Sequence, residues 1–446
     1  MRVPPTIDRP SPAGRAPSAA AVRAIALALV VGCAGVTLGC APGPGPGRQT
    51  SSGAPISGSS ANAAVPSASA GVDRVSARAL DALLSRREKA LADHDRSGFA
   101  ATVADPESPD GLAQLSAFET AADLGVVGLA HDPSFTRATP ASPGVLSVLL
   151  AYRVRGVDTC DRTARVDYHL ESTRGEWRIA SEHPSGTGST APWLALAGAR
   201  VHRTEHAVVA GTVPAGALGE DADMVERARA ALSRSWDLPD RVLVLAPSSE
   251  SEADVLLGRA AGGAPVAATT EGPVGKAGTA TGDRVVLDPD AFDRLTPAGR
   301  QVVIAHELTH VAVRATVPGR AEPWVSEGYA DHIGYGYAGL PAEHIAAPLV
   351  MAVRAGQAPT ALPGALDVDP SRGDIEVAYL ASWQAVQVLV DRHGEEAVRR
   401  FVRAATSTGS EQDVRVATDR ALREVLGTTR EDLTRDWQAR LHSLAG

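Results

Sequence analysis

The sequence predicts a mixed α+β protein in two globular parts, and three observations carry that expectation. Residues 73–183 show helical spacing followed by four strand-like runs. Residues 193–290 alternate strand and helix patterns. From residue 296 onward the pattern is almost wholly helical. A chain of 446 residues is long enough for two or three domains. A hydrophobic content of 44% excludes a wholly disordered chain, and with only 4% aromatics the cores must be built from Ala, Val and Leu. The net charge is −9, and only Lys89 and Lys276 are lysines, so no basic nucleic-acid-binding surface is expected.

The first forty residues read as a targeting segment. Arg2, Arg9, Arg15 and Arg23 precede an apolar run from Ala24 to Leu38. That run is shorter than the ~20 residues a bilayer-spanning helix needs. The stretch resembles a bacterial lipoprotein signal, in which a thiol after a small residue takes a lipid. Val30-Val31-Gly32-Cys33 fits the pattern locally, and Thr37-Leu38-Gly39-Cys40 stands directly before a Gly/Pro/Ser-rich tether. Cys40 is the preferred lipidation site and Cys33 its rival; a plain cleaved signal or an uncleaved anchor are the alternatives. The chain is therefore expected to be exported and held at a membrane surface, on the extracellular face. Residues 1–40 form the signal and 41–72 a linker.

In the first globular part, Leu80, Leu83, Leu84 and Leu91 share one helical face, and a second helix is expected over Pro109–Ala122. Strands follow at Gly125–Ala130, Val145–Val154, Arg162–Glu171 and Glu176–Glu182, the last two joined by a turn at 172–175. Helices followed by a curved antiparallel sheet resemble the NTF2-like α+β fold, which assigns 73–183 to an accessory domain that spaces or binds a partner. Residues 184–192 read as a second linker, leaving 193–446 as the second domain.

There, strands are expected at His202–Gly211, Arg241–Ala246, Ala264–Thr270 and Arg284–Asp288, with helices at Asp221–Trp236 and Glu250–Leu257. Helices then follow at Pro341–Arg354, Ile375–Arg392, Glu395–Ala405, Glu411–Leu426 and Arg430–Leu444, with Gly394, Gly409 and Gly427 as stops.

Thr296-Pro297 supplies an N-cap and a first-turn proline for a helix containing His306-Glu307-Leu308-Thr309-His310. Positions i and i+4 lie on one face, so both imidazoles can reach one zinc, while Glu307 stands beside the metal as a base for the attacking water. Pro323 starts a further helix carrying Trp324-Val325-Ser326-Glu327-Gly328, with sixteen residues between His310 and Glu327. That separation allows a turn and a return helix, so Glu327 can complete a His₂Glu set with one vertex open to solvent.

These residues resemble the gluzincins, the peptidase MA-like group of zinc peptidases with HExxH followed by a ligand Glu. The resemblance is specific over about residues 296–335. It implies one Zn²⁺ held by His306, His310 and Glu327, and peptide-bond hydrolysis driven by Glu307. Asp331, four residues after Glu327, is expected to accept the free N–H of a ligand His. His332 points about 100° away from Asp331 and is expected to be structural or exposed. Tyr379 is the candidate oxyanion donor, with Tyr329, Tyr335 and Tyr337 as rivals. The strand before the zinc helix, with Val285, Val286 and Leu287, is expected to be a sheet edge that pairs with an extended peptide. The expected partner is a peptide or protein substrate. A catalytically silent, zinc-stabilised binding lipoprotein and a zinc amidohydrolase acting on cell-wall material are the alternatives.

Overall fold

The structure is a computed structural model. It describes residues 77–446 except 139–143, 174, 187, 189, 260–265, 340 and 373–374. Cys33, Cys40 and the segments 1–40 and 41–72 lie outside the described residues. Among the described residues no helix is long and apolar enough to cross a membrane. The fold is mixed α+β.

Helices α1 (Ala77–Ala92), α2 (Arg96–Ala100) and α3 (Pro109–Asp123) come first among the described residues. Ser108 caps α3 by accepting from the Gly111 backbone N–H, with Pro109 in the first turn. Strands β1 (Val126–Ala138), β2 (Val145–Val154), β3 (Arg162–Thr173) and β4 (Glu176–Pro184) form an antiparallel meander in that order. Alternate residues of β2 and β3 (Leu146, Val148, Leu150, Ala164, Val166, Tyr168) turn inward onto Leu83, Phe99, Leu115 and Phe118 of the helices. Each such fully buried Leu, Val or Phe contributes roughly 1.5–3 kcal/mol.

The short helix α4 (Pro192–Ala195) leads into a second sheet of β5 (Arg200–Arg203), β6 (Ala207–Gly211), β7 (Val242–Ala246), β8 (Ala268–Glu271) and β9 (Arg284–Leu287). Its order is β5-β6-β7-β9-β8, with β6, β7 and β9 parallel and both outer strands antiparallel. Interleaved are α5 (Ala215–Leu232) and α6 (Glu250–Leu257), and the short α7 (Pro289–Asp293) follows β9.

Both faces of this sheet are covered, which is why β7 reads as the unbroken apolar run VLVLA. Val209, Val244, Val285 and Leu287 face the helical part. Val208, Ala210, Leu243, Leu245 and Val286 face the first part and share one core with Tyr152, Trp193 and Leu196. The stretch joining the two parts is tucked in: Ala191 is buried, and the Thr190 carbonyl accepts from Arg284 Nη1 at 3.0 Å.

The remainder is α8 (Pro297–Thr316), α9 (Pro323–Ala338), α10 (Ala342–Ile345), α11 (Ala347–Arg354), α12 (Glu376–His393), α13 (Glu395–Ala404), α14 (Glu411–Leu426) and α15 (Arg430–Ala445). Thr296 caps α8, its hydroxyl accepting from the Gly299 N–H at 3.1 Å. Helix α9 packs against α8 on one side and α12 on the other, and two glycines permit the approach. A Cβ on Gly328 would stand 2.4 Å from the Ser382 carbonyl oxygen, and one on Gly334 2.9 Å from that of Val302.

Several elements differ from the sequence-based expectation, β1 among them, which runs on to Ala138 instead of ending at Ala130. His202–Gly211 is not one strand but the hairpin β5–β6, which turns between Arg203 and Ala207. The helix expected from Asp221 starts at Ala215, just after Pro214. The helix expected over Pro341–Arg354 breaks at Ala346, where Pro348 falls in the first turn of α11.

Candidate metal centre

The α8 stretch from Val302 to Ala312 is buried all round, so its polar residues cannot be solvated and must satisfy one another. His306 and His310, one turn apart, aim their Nε2 atoms at a common point, 2.9 Å from each other. Glu327, on α9, brings Oε2 to 3.3 Å from both. These three side chains are the one His/Cys/Asp/Glu group among the described residues whose donor atoms lie close enough to share a metal ion.

The donor set fits zinc. A tetrahedral zinc with bonds of about 2.0–2.1 Å holds its donor atoms about 3.3 Å apart. Glu327 Oε2 is buried without a hydrogen-bond donor, as expected of a carboxylate oxygen aimed at a cation.

Behind the group, Asp331 Oδ1 lies 2.8 Å from His306 Nδ1, so the ring's far nitrogen is held and its Nε2 is presented forward. Ser326 Oγ stands 3.5 Å from His310 Nδ1. Burial opposes a charge on His306, but its hydrogen bond to Asp331 and the Glu327 carboxylate beside it outweigh this and raise its pKa to about 9. Burial also works against the Glu327 carboxylate, yet the two imidazoles bring it down to about 2.

Glu307 is fully buried beside the group, and burial raises its carboxyl above the usual range against the pull of both imidazoles and Thr270. Its Oε2 accepts from Thr270 Oγ1 at 2.5 Å, while Oε1 has no hydrogen-bond partner.

Tyr379, on α12, is buried with Ile375 and partly buried Val368, and its ring centroid lies 6.4 Å from that of His306. Of its rivals, Tyr329 accepts from Trp236 Nε1 at 3.0 Å and Tyr335 packs edge-on against Trp383, so both serve the core. His332 is tied to Glu395 and Gln387, away from the centre. A cavity of about 540 Å³, lined by Pro359, Leu366, Asp367, Arg372, Ile375 and Ala378 among others, opens at the start of α12 beside Tyr379.

The strand carrying Val285, Val286 and Leu287 is not a sheet edge. β9 pairs with β7 on one side and β8 on the other, so its backbone groups are already used. The edge is β8, because the chain between β8 and β9 reverses and lays β8 outside the strand that follows it. Sequence reasoning missed both this edge and Thr270. The order of strands depends on contacts far apart in the chain, and no local pattern marks a threonine that meets a residue 37 positions later.

No protein-family model and no curated protein matches the chain. Among solved structures it is similar to a mutant M1 zinc metallopeptidase from Deinococcus radiodurans, with 16% identity over 66% of this chain and 61% of that one and a TM-score of 0.33. It is also similar to a form of that mutant bound to a Tyr-Ser-Ala substrate, at 16% identity over 65% and 60% with a TM-score of 0.34. A two-domain M1 zinc metallopeptidase mutant bound to L-tryptophan gives 16%, 66%, 61% and 0.33. The match spans less than two thirds of each of those chains.

Proposed function

We propose that this chain is an exported zinc peptidase in which His306, His310 and Glu327 hold the metal and Glu307 moves the proton. The observation that supports it is the convergence of the two Nε2 atoms and Glu327 Oε2 about 3 Å from one another, with Glu307 Oε1 unpartnered beside them. Zinc, when bound, supplies Lewis acidity to the peptide carbonyl and to the attacking water. Glu307 takes the water's proton and passes it to the leaving amine, while Asp331 steadies His306. Tyr379 is assigned to the oxyanion, on the strength of its ring lying near His306. Pairing with an extended peptide is assigned to the outermost strand β8, Ala268–Glu271, rather than to Val285–Leu287.

The leader supports export, with Cys40 (or Cys33) as the lipid-bearing thiol and the protein held at the extracellular face of a membrane. The helical and antiparallel unit before residue 184 is assigned the NTF2-like accessory role.

Glu307→Gln tests the reading. The zinc-loaded variant is expected to keep one metal and lose nearly all cleavage of an unstructured polypeptide. Equal cleavage by both proteins would refute the assigned mechanism. Metal binding with no cleavage by either would favour a zinc-stabilised binding lipoprotein, and cleavage confined to wall-derived peptides would favour an amidohydrolase.

A further inference from the structure

Successive residues of a strand point to opposite faces, and at the end of β8 this puts two polar side chains into different environments. Thr270 faces α8 and is fully buried; its hydroxyl lies 2.5 Å from Glu307 Oε2 and 3.3 Å from the Glu307 carbonyl oxygen. Glu271 faces the first globular part and is also buried. Arg284 of β9 donates to its Oε1, and Arg162 of β3 approaches the same oxygen at 3.5 Å. Arg162 is anchored in turn by Asp158, at 3.0 Å, and by the Gly282 carbonyl. The strand is thereby clamped on the face opposite the metal centre, and Thr270 cannot drift without breaking a buried ion pair.

We propose that Thr270 is a positioning residue for Glu307. By holding Oε2, it fixes the carboxylate's rotamer so that Oε1 stays turned toward the reacting water. The inference rests on the peptidase reading above and adds to it a group outside the HExxH helix and the third-ligand helix. Glu307 has a flexible side chain with several staggered rotamers, and in the apolar interior around α8 the Thr270 hydroxyl is its hydrogen-bond donor. Valine matches threonine in shape but removes that donor, and serine retains it.

The test uses the full-length zinc-loaded chain as Thr270→Val and Thr270→Ser, with three readouts: zinc content, kcat and KM on an unstructured polypeptide, and a crystal structure of each variant. Thr270→Val is expected to keep one zinc and lower kcat tenfold or more, with KM changed less than twofold. Its Glu307 carboxylate is expected to leave the position it holds in the native chain. Thr270→Ser is expected to restore kcat to within threefold and to keep Glu307 in place. A valine variant with kcat within twofold of the native chain and Glu307 unmoved overturns the proposal, as does a change confined to KM. If the native chain and Glu307→Gln prove equally inactive, the peptidase reading fails; the position of Glu307 in the two crystal structures still decides whether Thr270 holds it.

Discussion

Asp331 Oδ1 stands 2.8 Å from His306 Nδ1, and both side chains are fully buried, 25 residues apart on adjacent antiparallel helices. This contact binds α8 to α9 at the level of the metal centre and fixes which ring nitrogen of His306 faces inward. Asp331→Ala should weaken zinc retention by about 10–100-fold, the usual cost of losing such a support. Competition with a coloured chelator measures it, and an unchanged affinity would show that packing alone orients the ring.

Gly328 follows Glu327 where α9 crosses α12, and a Cβ there would stand 2.4 Å from the Ser382 carbonyl oxygen. Gly328→Ala should push the helices apart, lower stability by about 1–3 kcal/mol and loosen the Glu327 ligand. Urea denaturation and zinc titration on the same sample read both effects.

The buried Glu271 carboxylate is held ionised below its usual range: burial works against the charge, and Arg284 and Arg162 overcome it. Glu271→Ala should cost about 3–5 kcal/mol, because the buried Arg284 guanidinium loses its counter-ion and Arg162 is left with Asp158 alone. Residues 193–446 expressed alone should fail to fold, since the sheet face bearing Leu243, Leu245 and Val286 would be stripped of its cover. Circular dichroism of both proteins checks this.

Asp221, on α5, is buried with little compensation, and burial raises its carboxyl to about 6. The folded state therefore binds this proton more tightly than the unfolded chain, whose Asp titrates near 3.9. The contribution to stability is full below about pH 4 and is lost as pH rises through 6, a span of roughly 3 kcal/mol. Asp221→Asn should raise the melting temperature at pH 7.5 and leave it nearly unchanged at pH 4. Thermal melts at the two values decide it, and an equal shift at both would sink the explanation.

What the sequence made legible was local. Thr296-Pro297 and Pro323 marked where α8 and α9 begin, Gly394 and Gly427 marked helix ends, and the spacing within His306–His310 and Glu327–Asp331 already implied shared faces. Elements whose limits depend on distant contacts were not legible. The single strand expected over His202–Gly211 concealed a hairpin, because its turn lacks glycine and proline. The edge of the second sheet was assigned to Val285–Leu287, whereas β8 occupies it, because a strand's neighbours are chosen by the whole core. For the same reason Thr270, which shares no motif with Glu307, became visible only in three dimensions.

The account stands on three side chains from α8 and α9 meeting at a single ion. X-ray absorption spectroscopy of the zinc-loaded chain measures that most directly. It should report one zinc bound by two imidazole nitrogens and carboxylate or water oxygen at about 2.0–2.1 Å, with the carboxylate contribution gone in Glu327→Ala. A protein that takes up no zinc, or whose zinc spectrum is unchanged by Glu327→Ala, would contradict it.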